Sequence, residues 1–177
     1  MIINYLRFFS VIFIFVSPNL SFASENTLSD QSIKVFYKDL VEAKIAGGEY
    51  LISFHDKLYS DDLKMILNLK RKVDDSDMPR VFLDHNKKTF MEAVRKNAEI
   101  IKHKGGRYDV VSVSLNDDGQ SAEVHVRLVS QFIVQVDKLA PKRSSIEAMD
   151  CKDRVVLSDS GSIQILSSKC DVNVSMD

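Results

Sequence analysis

The sequence predicts an α+β fold in which N-terminal helices pack on an antiparallel β-sheet. Three observations lead there. Between Asp30 and Lys104 the apolar residues recur at three- and four-residue spacing, punctuated by Gly47-Gly48 and Gly105-Gly106, as amphipathic helices and their stops require. From Tyr108 onward the period becomes two. The longest such run, Ala122 to Val136, puts Ala122, Val124, Val126, Leu128, Phe132, Val134 and Val136 on one face, broken by Ser130. Glu123, His125, Arg127, Gln131 and Gln135 fall on the other, as in a strand with one face in a core and one near water. The third observation is the pair Cys151 and Cys170, placed where a hairpin brings two strands together.

The chain has 177 residues, and residues 1–23 read as a cleaved signal peptide rather than as part of the fold. Arg7 gives a positive start, and Phe8 to Val16 form an apolar run too short to span a bilayer. Ser21-Phe22-Ala23 offers small residues where a signal peptidase reads, so the mature chain is expected to begin at Ser24 and to reside in the periplasm or outside the cell. Residues 24–177 then form one domain, long enough for a substantial core. The formal charge is −1 and becomes −2 when Arg7 leaves, which excludes a global basic field and argues against nucleic acid as the partner. No later segment has the length and apolarity of a membrane helix.

Asp30 is the expected cap of a first helix carrying Ile33, Phe36, Tyr37, Leu40 and Val41 inward. A second runs from about Glu49 to Leu58. Ser60-Asp61-Asp62 then offers caps for a third helical segment with Leu63, Ile66, Leu67 and Leu69, ending in the solvated run Lys70-Arg71-Lys72 before Pro79. Another helix begins after Asn86, where Thr89 and Glu92 have capping-box spacing. Lys102, His103 and Lys104 fall in its last turn and Gly105-Gly106 stops it.

The first strand, Tyr108 to Leu115, carries Val111, Val113 and Leu115 on one face and leads to Asn116-Asp117-Asp118-Gly119. A two-residue loop at Asp118-Gly119 sets Val113 against Val124, Val111 against Val126 and Leu115 against Ala122; a four-residue loop is the alternative. Asp137 to Arg143 reads as a turn. Strands from about Ser145 to Leu157 and from Ile163 to Val174 complete an antiparallel meander whose one face the helices cover. A two-residue loop at Ser160-Gly161 places Cys151 directly opposite Cys170, Val155 opposite Leu166 and Val156 opposite Ile165. Opposed strand residues have a Cα separation that a disulfide accepts, and export removes the reducing cytosol. Catalytic thiols or a zinc site fit less well, because the spacing is not Cys-x-x-Cys and two thiols alone bind zinc poorly.

Chemistry is sparsely signalled. His55, His85, His103 and His125 are scattered without metal-ligand spacing, so neither metal nor cofactor is expected. Asp61-Asp62 and Asp74-Asp75-Asp77 lack the glycine and distal glutamate of a calcium loop. No nucleophile elbow, phosphate loop or dinucleotide fingerprint is present. An acid/base role can be written only for His55, Asp56 or Tyr108, and His55 and Asp56, adjacent on a helix, point in different directions.

The segments Phe36-Tyr37-Lys38-Asp39-Leu40, Gly47-Gly48-Glu49-Tyr50-Leu51-Ile52 and Tyr59-Ser60-Asp61-Asp62-Leu63 resemble the opening of the nuclear transport factor 2-like (SnoaL-like, cystatin-like) superfamily. Val155 to Ile165, with its turn glycine Gly161, is similar to that superfamily's last hairpin. The resemblance implies a cone-like roll: a curved antiparallel sheet wrapped around helices, with a pocket at its open end. It transfers no catalytic residue, and the charged stretch Lys70 to Pro79 departs from its compact pattern. The same scaffold serves isomerases, dehydratases and assembly factors, so the fold alone does not choose among them. The expected function is that of an exported, non-enzymatic module binding a protein partner or a small apolar ligand through its sheet surface or cone. The polar face of Glu123, His125, Arg127, Gln131 and Gln135 is the expected partner surface. The alternative is a small pocket enzyme with isomerase- or dehydratase-like acid/base chemistry.

Overall fold

A computed structural model describes residues 27–135, 139 and 141–177; the expected signal peptide over residues 1–23, the start of the expected mature chain, Val136 and most of the turn after it lie outside the described residues. The order is α1 (Asp30–Ala46), α2 (Gly48–Leu58), β1 (Tyr59–Val73), β2 (Ser76–Asp77), β3 (Val81–His85), α3 (Lys87–Ile100), β4 (Ile101–Leu115), β5 (Ser121–Val134), β6 (Arg143–Leu157) and β7 (Ile163–Met176). The sheet runs β2-β1-β7-β6-β5-β4, with β3 also paired to β1, and curls around the helices.

Helix α1 is capped by Ser29 rather than Asp30. The Ser29 hydroxyl accepts from the Ser32 amide, and the Ser32 hydroxyl accepts from the Ser29 amide, so two orphan donors are satisfied reciprocally. Gly47, at φ 66°, ends α1 and lets α2 start at once, a backbone angle that an L side chain resists. Ile33, Phe36, Tyr37 and Leu40 of α1 face the sheet and meet Leu63 and Met65 of β1, Val124 and Val126 of β5, Val155 of β6 and Val172 of β7. Full burial of side chains such as Ile33 and Leu63 contributes about 2 kcal/mol each, which makes this layer the principal clamp between helix and sheet.

The meander of β4 to β7 is present with its three antiparallel pairings. Val113 faces Val124 and Leu115 faces Ala122, as expected, but a bulge between Val110 and Ser112 brings Val110 opposite Val126 and leaves Val111 exposed. The loop before β5 has four residues, because Asn116 and Ser121 still bond to each other. Cys151 and Cys170 are directly opposed and joined by a disulfide. Two departures compensate to keep them so. The β6–β7 loop is one residue longer than expected, with Gly161 at φ 78°, and a bulge after Arg154 restores the register before the cysteines. Nearer the loop the pairing therefore differs: Val155 faces Ile165, not Leu166, and Val156 faces Gln164.

Two predicted helical stretches are strands. Leu63 to Val73 belongs to β1, whose inner side carries Leu63, Met65, Leu67 and Leu69 in strict alternation. Lys102-His103-Lys104 lies in β4, and Gly105-Gly106 sits beside a bulge in that strand rather than at a helix stop. The α3 cap is Asn86, whose side chain accepts from the Thr89 amide, so Thr89 is not the cap. The sheet is also mixed, since β1 runs parallel to β7 along most of its length.

Candidate functional site

Alternation places two contrasting polar sets on the sheet, one outside and one within. On the outer face of β5, Glu123, Arg127 and Gln131 are exposed and His125 is partly so. His125 Nε2 lies 2.7 Å from Asp150 Oδ1, and Arg127 Nε donates to Asp150 Oδ2 at 3.0 Å. The His125 hydrogen bond, with Arg127 beside it, holds the Asp150 carboxyl below the usual carboxylate range. Arg154 approaches Glu123 at 4.0 Å. Gln135 lies just beyond β5, where its amide donates to the Ile100 carbonyl, so it stands apart from this group.

The inner face carries Asp153, a carboxylate closed in by the core. Tyr37 Oη donates to its Oδ2 and Ser168 Oγ to its Oδ1, both at 2.6 Å. Burial pushes the Asp153 carboxyl up, and the two hydroxyl donors offset part of that rise. Burial likewise raises the Tyr37, Tyr59 and Tyr108 phenols, with the nearby carboxylate adding to it. The Tyr37 and Tyr108 rings lie 5.5 Å apart and form the floor of a cleft of about 560 Å³ between α1 and β4. Lys34, Lys38 and Arg107 stand on its rim beside Glu42 and Asp109. Cys151, Asp153 and Cys170 converge, but both sulfurs are spent in the disulfide, which removes the thiolates a metal would need.

His55 and Asp56 do not form an acid/base pair. His55 is 5% exposed, stacked on Tyr59 at 5.5 Å and tilted against Phe90 at 6.1 Å, with Nδ1 unpartnered, whereas Asp56 is exposed. Burial, with the Lys44 and His103 charges adding, lowers the His55 imidazole to about 3. His103, partly buried against Phe132 at 5.7 Å, is lowered to about 4 by burial and Lys44. Lys44 also reaches Glu147 at 3.7 Å, where Ser130 Oγ donates to the same carboxylate at 3.1 Å. Tyr108 is the one acid/base candidate that joins the interior cluster.

No protein-family model and no curated protein matches the sequence. Solved structures do. A conserved protein from Planctomyces limnophilus is 13% identical, with 80% of this chain and 94% of that chain covered at a TM-score of 0.57. An NTF2-like protein from Cytophaga hutchinsonii is 14% identical over 81% and 98% at 0.51, and another from Rhodospirillum rubrum is 18% identical over 78% and 96% at 0.50. The chain has the nuclear transport factor 2-like fold. At these identities the likeness carries the architecture and no activity. Within this NTF2-like cone, Asp153, Ser168 and the hydroxyl of Tyr37 were not foreseen as a group. Their signal was parity: Asp153 shares the inward side of β6 with Cys151 and Val155, and Ser168 shares that of β7 with Cys170. Among the described residues no helix is long and apolar enough to cross a membrane.

Proposed function

We propose that this NTF2-like chain is an exported, non-enzymatic interaction module that engages a protein through the outer face of its sheet. The observation that carries the reading is the contrast between the cone's interior and its outer face. The interior carboxylate, Asp153, is already engaged by two hydroxyls of the same chain, while the charged and amide side chains of β5 face outward. Glu123, Arg127 and Gln131 are the contact residues, and His125 with Asp150 holds Arg127 in place. The disulfide and the signal-like N-terminus both suit an oxidising compartment. The test is recovery of the full chain, after cross-linking in its own cells, beside an Arg127→Glu, Gln131→Arg variant. A discrete cross-linked protein is expected with the unmodified chain and about tenfold less with the variant, the loss of one well-placed contact. Equal recovery from both, or isolation of a lone monomer carrying a small molecule, overturns the reading.

A pocket enzyme is the second reading, favoured by the cleft whose floor is Tyr37 and Tyr108 with Asp153 behind it. A carboxyl raised by burial and bonded to a phenol can hold or pass a proton, as α-proton chemistry needs. Exchange of α-protons of a cyclic ketone for deuterium by the unmodified protein, lost in a folded Asp153→Asn variant, is the result that selects it. Absence of exchange above the solvent rate sets it aside.

A further inference from the structure

Among the described residues the sheet has one long edge without a neighbouring strand. On the far side β3 and β2 pair with β1, whereas β4 ends the sheet and pairs with β5 alone. About half of the β4 amides and carbonyls therefore point away from the sheet with no strand to receive them. Two bulges, between His103 and Gly105 and between Val110 and Ser112, bound a regular stretch from Gly105 to Val110. At about 3.4 Å per residue it offers roughly 20 Å of pairing edge. The cleft between α1 and β4 opens beside this same stretch, with Gly106 to Val110 on one wall and Lys34, Lys38 and Val41 on the other. Gly105 and Gly106 carry no side chain, so a second backbone meets only main chain there. Val41 and Val110 are partly exposed along the cleft.

Charge selects the occupant. In α1, Lys34, Lys38 and Lys44 are balanced by Asp30, Asp39 and Glu42. In β4, Lys102, Lys104 and Arg107, all exposed, stand against Asp109 alone. Cations along an open edge repel the same edge of a second copy and attract a chain of opposite charge. The pairs Arg107 with Asp109 and Lys38 with Glu42 are exposed and weak, so an incoming carboxylate can replace them. We propose that the β4 edge, with the α1 cleft beside it, is a docking groove for an extended acidic segment of a partner protein, which adds to the sheet as a further strand. The backbone of that segment pairs with Gly105 to Val110. Its apolar side chains alternate into the cleft against Val41, Tyr108 and Val110, and its carboxylates on the other side meet Lys104 and Arg107. This groove is separate from the outer-face contact of Glu123, Arg127 and Gln131 and does not depend on it.

The probe is a fluorescein-labelled octapeptide alternating valine with aspartate, titrated against the full chain by fluorescence polarisation. Saturable binding is expected, and with it slower hydrogen exchange at the edge-facing amides among residues 105–110, which exchange fast in the free chain. Two further peptides carry N-methyl groups on the valines only or on the aspartates only. An added strand turns alternate N–H groups toward β4, so one of these peptides should bind about tenfold more weakly while the other matches the parent. Lys104→Glu with Arg107→Glu, shown by circular dichroism and melting to be folded, should weaken the parent peptide about tenfold, and lysine in place of aspartate in the peptide should abolish binding to the unmodified chain. Should that variant fail to fold, Lys104→Gln with Arg107→Gln takes its place. The proposal is overturned by a lack of saturable binding at about 1 mM peptide, by equal binding of the two methylated peptides, or by protection that falls elsewhere than residues 105–110. Slow exchange of the edge-facing amides in the free chain also overturns it, because the edge is then already covered, by a second copy where sedimentation shows a dimer and by the chain itself where it shows a monomer.

Discussion

Acidification should unfold this protein partly through His55. Unfolded, the imidazole takes its proton near 6.5; folded, at about 3. Between those values the unfolded chain binds more protons, so stability rises with pH and is lost as pH falls below 6.5. At pH 5 the unfolded imidazole is almost fully charged and the folded one almost fully neutral. The difference from pH 7 is then about 2 kcal/mol for this one group. Because pH 5 remains above the folded value, a shift of a full unit in that value scarcely changes the result. His103 adds a smaller contribution of the same sign, discounted because it is partly exposed. Asp153 acts oppositely. Its folded carboxyl keeps a proton to higher pH than the unfolded one, so its contribution is full in acid and fades as pH rises through the folded value. The comparison that isolates His55 is therefore the unmodified protein against His55→Phe, which keeps an aromatic ring stacked on Tyr59 and tilted against Phe90. Urea titrations at pH 7, 6 and 5 should give a loss about 2 kcal/mol smaller in the variant. Equal losses in both proteins would show that His55 is not held neutral and would refute the argument from burial.

Three further outcomes follow from the same structure. Replacing both cysteines by serine, or adding reductant, should lower stability by about 3 kcal/mol, the chain-entropy value for a loop of this length; a urea midpoint unmoved by reductant counts against a structural role. Tyr37→Phe takes one donor from buried Asp153 and should cost about 1 to 3 kcal/mol in the same assay, with a loss under about 0.5 kcal/mol showing that the bond is replaced by solvent. Ser29→Ala should cost about 1 kcal/mol, whereas Asp30→Ala should cost less; the reverse order in thermal melts would reinstate Asp30 as the cap.

The meander was legible because β5 alternates almost without error, the Asp118-Gly119 turn sets its register on β4, and the turn at Ser160-Gly161 sets the cysteines opposite each other. β1 was not, because Ile66 stands on the outer face between Met65 and Leu67. That one exposed isoleucine gives Leu63, Ile66 and Leu67 the spacing of a helix, and it masks the alternation of Leu63, Met65, Leu67 and Leu69. At the other error, α3 passes into β4 with no loop between them: the Ile101 amide still donates to Asn97 while Ile101 begins the strand. Basic residues and two glycines just beyond a helix then imitate its end. The interior site was hidden for another reason. Tyr37 reads as core from its helical spacing, and only the fold brings it to Asp153, more than a hundred positions later.

The parallel pairing of β1 with β7 governs when the protein can finish folding. β1 leaves the N-terminal helices at residue 59, and its long neighbour begins only at Ile163. During synthesis, α1, α2 and β1 emerge with their apolar sides uncovered, and the β1–β3 pairing cannot bury them alone. Closure waits for the last strand. Such a topology folds late and slowly, with many contacts between distant parts of the chain. A ribosome stalled before Ile163 would leave an incomplete cone with a sticky interior.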